Sequence, residues 1–451
     1  MAARPNIIVI MTDDQTVADL RAMPNVLKLF AGEGTTFDDN VVSYSLCCPS
    51  RATFLTGQYS HNTGVTGNSI ATGISQFKDE NTLPVWLQKA GYSTVMIGKY
   101  LNEYLRVEPT RVPPGWDEWY GGLRFAYYNF TLNHNGKEVS YGSTTGDYQT
   151  DVFTRLAIRE VRAHTRTGPF FLWLSYWAPH YGGPSEDGDP ADLHVAVPAV
   201  RHEGRFATEP LPMPPSFDEA DVSDKPQLIQ SRPRLTPEKI NSLTIAYRKR
   251  LESLLAVDEG VAALVNVLKE QRVYKNTVLL FTSDNGYLLG EHRIVNDKVA
   301  LYEPSIRVPL LMRGPGVPAG LHLMQQTANI DLAPTIAALA GAKPRLKEDG
   351  RSLLPLLATP SLPFRRDILL ERGKDADGVR IYTAIRTERY VYAEYDTGER
   401  ELYDLLLDPD ELVSKHADPA YAAIEAELAR RLAALRDCAG VSCRYAAPAF
   451  P

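Results

Sequence analysis

Four short runs along this chain are apolar at nearly every position rather than at alternate ones. They are residues 6–11 (Asn-Ile-Ile-Val-Ile-Met), 93–97 (Ser-Thr-Val-Met-Ile), 170–176 (Phe-Phe-Leu-Trp-Leu-Ser-Tyr) and 277–281 (Thr-Val-Leu-Leu-Phe). A strand with one wet face alternates apolar and polar residues. An uninterrupted run signals burial on both faces, as in parallel strands covered by helices on each side. Stretches with helical apolar spacing at 24–31, 83–90 and 244–270 supply such helices. The predicted class is α/β: a large mixed, mostly parallel sheet sandwiched by helices. Ligands of such sheets bind beyond the carboxyl ends of the strands. The four runs therefore deliver Asp13, Asp14, Lys99, His180, Asp284 and Asn285 to one edge.

The pattern changes twice. Residues 182–237 are rich in Pro, Asp and Glu without sustained periodicity, which predicts a long surface excursion near the site, either a lid or specificity loop or plain decoration. After Pro355 the segments 382–386, 390–395 and 401–405 read as short antiparallel strands, with Thr397-Gly398 as a turn, and 420–435 as an Ala/Leu/Arg/Glu helix. The expected division is a catalytic domain, 1–355, and a smaller C-terminal α+β domain, 356–451.

Composition changes this picture little. The 451 residues are 44% apolar and 23% charged, an ordinary globular balance. A net charge of −7 argues against nucleic acid or an anionic membrane as partner. No apolar run approaches the roughly 20 residues that span a bilayer, and 6–11 is too short for a signal peptide. The chain reads as a mature domain, cytoplasmic or with its export signal trimmed. Cys438 and Cys443 flank a tight Gly-containing loop and predict a local disulfide, worth about 2 kcal/mol and favouring an oxidising compartment. That leans the expectation toward a secreted or periplasmic protein.

The chemistry concentrates in Cys47-Cys48-Pro49-Ser50-Arg51, with Ala52-Thr53-Phe54-Leu55-Thr56-Gly57 directly after it. Pro49 pre-sets a first helical turn and Gly57 stops the helix, so Cys47 falls at its N-terminus. Arg51 in that turn opposes the helix dipole, which points to a specific partner for it. Asp13, Asp14, Asp284 and Asn285 form an all-oxygen set suited to a hard cation, Ca²⁺ or Mg²⁺. Taken singly, Asp13-Asp14 is a solvated turn and Asp284-Asn285-Gly286 an ordinary one. Together at strand ends, beside the cysteine run, they favour a site.

The cysteine run resembles the signature C-x-P-S-R-x-x-x-L-T-G of type I sulfatases, in the alkaline-phosphatase superfamily. Met11-Thr12-Asp13-Asp14-Gln15, the stretch 98–104, Pro113-Pro114-Gly115-Trp116, Tyr247-Arg248-Lys249-Arg250-Leu251 and Arg307-Val308-Pro309-Leu310-Leu311 are similar to the glucosamine-6-sulfatase and extracellular heparan-sulfatase branch. The resemblance implies that Cys47 is oxidised to formylglycine by a formylglycine-generating enzyme. It implies that Asp13, Asp14, Asp284, Asn285 and the modified Cys47 ligate Ca²⁺, with Mg²⁺ as second candidate. It further implies that Arg51 steadies the formylglycine, that Lys99 and Lys298 hold sulfate oxygens, and that His180 protonates or orients the leaving group. The implied substrate is a small-molecule or glycan sulfate ester, such as an aryl sulfate or glucosamine 6-sulfate.

Two positions depart from common family patterns: Leu101 and Leu288 stand where histidines are frequent. His292 is the expected substitute, and His61 is expected to approach the pocket. A phosphonate or phosphate monoester hydrolase, and a silent binder of sulfated glycans, stay open as alternatives. Oligomeric state is left open.

Overall fold

The computed structural model describes residues 4–123, 126–364, 367–374 and 380–444. The first strands in chain order are β1 (Asn6–Thr12), β2 (Thr35–Phe37), β3 (Asn40–Val41), β4 (Ser93–Gly98), β5 (Glu118–Gly122), β6 (Thr131–His134), β7 (Lys137–Ser140) and β8 (Phe170–Ser175). The later ones are β9 (Thr277–Ser283), β10 (Leu310–Arg313), β11 (Leu321–Leu323), β12 (Thr327–Ala328), β13 (Asp367–Lys374), β14 (Arg380–Thr387), β15 (Tyr390–Tyr395) and β16 (Arg400–Asp404).

The main sheet has the order β11-β2-β10-β9-β1-β8-β4-β5-β6-β7. Its four middle members β9, β1, β8 and β4 are the four apolar runs, adjacent and mutually parallel. Antiparallel β10, β6 and β7 toward the edges make the sheet mixed.

Alternate residues of the middle strands enter two separate cores. Ile8, Ile10, Ile97, Leu172 and Phe281 pack against the helices Gln149–His164 and Pro237–Glu270. Ile7, Val9, Met96, Trp173 and Leu280 pack against the helices Cys47–Thr56, Leu83–Lys89 and Leu332–Ala340. Both faces are dry, so each strand carries apolar residues throughout.

The register brings the strand ends level. Thr12 lies beside Ser283, and Met11 and Gly98 both lie beside Ser175. The groups just past these ends, Asp13, Asp284, Lys99 and the turn to His180, therefore emerge along one line.

Two elements differ from the sequence reading. The 244–270 helix begins earlier, at Pro237, because Thr236 caps it by accepting from the Lys239 amide at 3.2 Å and Pro237 fills its first turn. The 24–31 segment is an α turn, Pro24–Val26, running into a wider turn, Leu27–Ala31.

A second sheet, β13-β14-β15-β16, is antiparallel throughout. Its first strand lacks a clean alternating pattern and has no counterpart among the expected elements. The helix Ala422–Leu435 buries Leu428 and Leu432 in a core that also holds Ile385, Tyr403, Tyr59, Leu288 and Tyr302. The C-terminal sheet thus shares its core with residues of the larger part. Cys438 and Cys443 are disulfide-bonded, with Cα atoms 5.1 Å apart, whereas Cys47 and Cys48 are free thiols.

Gly98 ends β4 at φ +107, and a Cβ there would run into the Ser175 carbonyl of β8. Gly98→Ala should therefore lower unfolding free energy by about 2–4 kcal/mol in urea melts; a loss below about 0.5 kcal/mol would show that the two strand ends can part freely.

Candidate active site

The helix Cys47–Thr56 starts after Leu46 and ends at Gly57, φ +70, as its proline and glycine foretell. It aims Cys47 at the strand ends from one side. Its thiol lies 3.8 Å from Asp13 Oδ1 and 3.1 Å from the Lys298 ammonium. The contacts of Arg51, which is fully buried, explain its place against the dipole: Nε donates to Asp284 Oδ2 at 2.8 Å, and Nη2 lies 3.6 Å from Asp13 Oδ2. Its Nη1 donates to the Lys99 carbonyl at 2.7 Å and to Ser175 Oγ at 2.8 Å. The guanidinium thus fastens several strand ends at once.

The acids come next. Asp13 is ion-paired with Lys99, and Asp14 with Lys298. Asp14 has φ +68, a left-handed conformation that an aspartate tolerates better than most residues, and this turns its carboxylate inward. The Asn285 amide donates to Asp14 Oδ1 at 2.7 Å, and the Asp14 backbone amide donates to Asp284 Oδ1 at 3.2 Å. The His180 Nδ1–H donates to the Tyr181 carbonyl at 2.7 Å, leaving Nε2 to face Asp14 Oδ2 at 3.7 Å. The Lys99 ammonium sits 4.7 Å from the centre of the Trp177 ring.

Burial dominates the electrostatics. It pushes the Asp13 carboxyl up to about 7, with the Asp284 charge adding to it and Lys99 opposing. Burial also pushes Asp14 upward, but Lys298, His180 and Lys99 together hold its carboxyl well below the usual range. Burial lowers His180 to about 3, with Asp14 opposing and the two lysines adding. The Cys47 thiol is pushed up by burial against the pull of Lys298 and Lys99.

Ligand atoms of Asp13, Asp14, Cys47 and His180 all lie within 4.8 Å of one another. Asp14 Oδ2 and Asn285 Oδ1 are buried beside them with no hydrogen-bond partner among the described residues. Such atoms are costly to bury without a ligand, so the donor set fits a hard cation.

A cavity of about 630 Å³ opens over this cluster, and His180 and Lys298 are in its wall. Gly182, Gly183, Ser185 and His194 of the 182–237 excursion also line it. The start of the excursion therefore borders the site, while its later part, near Val222 and Ile229, packs into the core shared with the C-terminal sheet.

The sulfatase family matches residues 5–342. The chain belongs to that family. An N-sulphoglucosamine sulphohydrolase C-terminal family matches residues 290–438. A putative extracellular sulfatase homologue of Caenorhabditis elegans is 38% identical over 82% of this sulfatase, which spans only 52% of that longer protein. Human N-acetylglucosamine-6-sulfatase is 32% identical, covering 98% of this chain and 86% of its own. A solved structure bound to its substrate, D-glucosamine-2-N,6-O-disulfate, superposes with a TM-score of 0.78 at 26% identity, covering 95% of this chain and 97% of that one. The chain is a sulfuric ester hydrolase of the alkaline-phosphatase superfamily, and the sulfatase family within it generally uses a metal ion and formylglycine.

Asp13, Asp14, Cys47, Arg51, Lys99, His180, Asp284, Asn285 and Lys298 converge. Two histidines do not. His292 is buried with Nδ1 bonded to Glu219 at 2.7 Å and its ring stacked 3.9 Å from Tyr302, directed toward the C-terminal core. His61 lies 2.9 Å from Glu371 and 2.7 Å from the Cys438 carbonyl, so it ties the disulfide loop rather than lining the cavity. Sequence spacing does not distinguish these partners, because each lies far along the chain. Ser175, Trp177, Asn68 and Asn102 also border the site without having stood out in the sequence. Trp177 and Asn102 fall inside or beside stretches with other signals, but polar and aromatic residues there are equally common as packing.

Burial opposes protonation of His61, yet Glu371, the Cys438 carbonyl and Asp349 raise it to about 8. A raised histidine stabilises fully below its unfolded value of 6.5, and the contribution fades as pH rises through 8. Wild type should lose about 1–2 kcal/mol of its advantage over His61→Gln between about pH 6 and 9; parallel stability curves for the two proteins would refute the coupling.

Proposed function

We propose that the chain hydrolyses sulfate monoesters of sugars, with an amino sugar 6-sulfate as the substrate type and formylglycine formed from Cys47 by a formylglycine-generating enzyme. The observation that carries this reading is the convergence of Cys47, three buried carboxylates and three buried cations beneath one open cavity. Asp13, Asp14, Asp284, Asn285 and the modified residue 47 would hold Ca²⁺, with Mg²⁺ the second candidate. Bound there, the formylglycine hydrate supplies an oxygen nucleophile and the cation spreads the charge of the sulfuryl group.

The rest falls to the chain's own side chains. Lys298, in contact with Cys47, and Lys99, paired with Asp13, would receive sulfate oxygens, exchanging part of their contact with Asp14 and Asp13 for the ester. Arg51 holds Asp284 and the strand ends in place, so that little reorganisation is needed on binding. His180 lines the cavity with Nδ1 held by the Tyr181 carbonyl, and its Nε2, 3.7 Å from Asp14 Oδ2, is the group we assign to the departing sugar oxygen. Asp284 is the acceptor we assign for the nucleophile's proton.

The division at 355 belongs to the same proposal: residues 1–355 carry the reaction and 356–451 brace it through Tyr302 and Tyr59. Relatives that are extracellular sulfatases support a secreted or periplasmic setting, and no described helix is long and apolar enough to cross a membrane.

With nitrophenyl sulfate as substrate and a formylglycine-generating enzyme co-expressed, Cys47→Ala should lower turnover by about 10⁴-fold or more. Mass spectrometry of the wild-type peptide across residue 47 should show the sulfur replaced by an aldehyde oxygen. Retained turnover, or a wholly unmodified thiol in active enzyme, would refute the nucleophile. Chelation should abolish turnover and lower Tm, and Ca²⁺ at about 100 times its Kd should restore about 2.7 kcal/mol of stability. Identical Tm with and without Ca²⁺ would count against the metal assignment. Faster cleavage of nitrophenyl phenylphosphonate than of the sulfate would favour the phosphonate reading instead.

A further inference from the structure

The acidic and basic side chains around Cys47 are matched in number before any ligand arrives. Asp13, Asp14 and Asp284 face Lys99, Lys298 and Arg51, and each of these six side chains is at least nine-tenths buried. A divalent cation and one sulfate monoanion would fill this cradle. The wall above it has a different character. Its only lysine among the described residues is Lys298, already committed to Asp14 and Cys47, and no described arginine lines it. Instead it carries two carboxylates, Glu103 and Asp297.

Both carboxylates have fixed backbones and weakly compensated charge. Glu103 adopts φ +62 in the turn after Lys99, and its ion-pair partner, Arg106 at 3.0 Å, has a side chain 75% exposed to solvent. Such a pair neutralises little, because water screens it. Asp297 is exposed, is held by backbone pairing with Leu288, and accepts the Lys298 backbone amide at 2.8 Å. Neutral amides stand beside them. Asn68 and Asn102 are pinned by Cys48, whose amide donates to Asn68 Oδ1 at 2.9 Å and whose sulfur accepts the Asn102 amide at 2.9 Å. Tyr181, 41% exposed, offers a ring face at the cavity mouth.

We infer that Glu103 and Asp297 make this cavity selective for a singly sulfated sugar and against one bearing a second sulfate or carboxylate close to the first. The inference rests on the sulfatase reading and deepens it. One sulfate enters the cradle, and the remaining hydroxyl, acetamido or ammonium groups meet amides, an aromatic face and carboxylates, all of which bond to them or stack on them. A second anion meets no further lysine or arginine in the described wall and two like charges. Like charges at exposed separations of this kind cost a factor of roughly three each, about ten together.

The test compares kcat/KM for nitrophenyl sulfate, N-acetylglucosamine 6-sulfate and glucosamine 2-N,6-O-disulfate, using enzyme co-expressed with a formylglycine-generating enzyme. Wild type should favour the monosulfated sugar over the disulfated one by about ten-fold at low salt, shrinking at about 0.5 M salt where exposed charges are screened. The Glu103→Gln/Asp297→Asn double variant should bring that ratio near one, mainly by faster cleavage of the disulfate, and should lose the salt dependence. A merely structural role for these residues would slow both sugars alike and leave the ratio and its salt response in place, which overturns the inference. Equal rates in wild type, preference for the disulfate, or cleavage of nitrophenyl sulfate without either sugar would also overturn it while leaving the sulfatase reading intact. Failure on all three substrates, with the aldehyde verified, would bring down both.

Discussion

Three carboxylates, Asp13, Asp14 and Asp284, lie at the ends of parallel strands with 0–1% exposure. Removing such charges from water costs several kcal/mol each unless partners stand ready, and the local structure is organised to provide them. Arg51 is the pivotal group. It reaches two of the three acids and also the carbonyl of Lys99 and the hydroxyl of Ser175, so a single side chain ties the signature helix to β9, β1, β4 and β8. Lys99 and Lys298 complete the balance. A cluster matched in this way can hold its geometry while a cation and an anionic ester come and go, because no single carboxylate is left without a partner.

The loop that carries Lys298 shows how distant parts serve this cluster. Between Gly290 and Val299 the chain takes left-handed conformations at His292, Arg293, Asn296 and Val299. A β-branched residue such as Val299 rarely adopts φ +68, so surrounding contacts must hold it there. His292 supplies one such contact through Glu219 and Tyr302. Tyr302 in turn donates to Glu401, which also accepts from Tyr395 and Tyr403 of the C-terminal part. The C-terminal sheet, none of whose described residues lines the cavity, thereby braces the loop that positions a lysine at the cysteine.

Much of the fold was legible because its cause is local. Uninterrupted apolar runs arise where both faces of a strand are covered, and the four runs are the four central parallel strands. Pro49 and Gly57 delimit a helix by their own backbone preferences. Strand β13, and the early start of the Pro237–Glu270 helix, were not legible, since the first shows no clean alternation and the second is set by a cap before its apolar stripe begins. The same distinction separates the histidines. His180 lies just past a strand, so its position at the sheet edge is fixed by chain continuity. His61 and His292 sit on segments whose partners, Cys438 and Glu219, are decided only by folding.

The sequence by itself determined the class of the sheet, the edge at which chemistry-bearing residues gather, and the family, because each depends on short-range pattern or on a contiguous motif. The tertiary structure alone decided which cation meets which carboxylate, that Arg51 faces Asp284, and that the cavity wall carries Glu103 and Asp297. The Arg51–Asp284 and Lys298–Asp14 pairings join residues 233 and 284 positions apart. Electrostatic partners are chosen by distance in space, and a linear pattern of residues holds no record of that distance until the strands align in register.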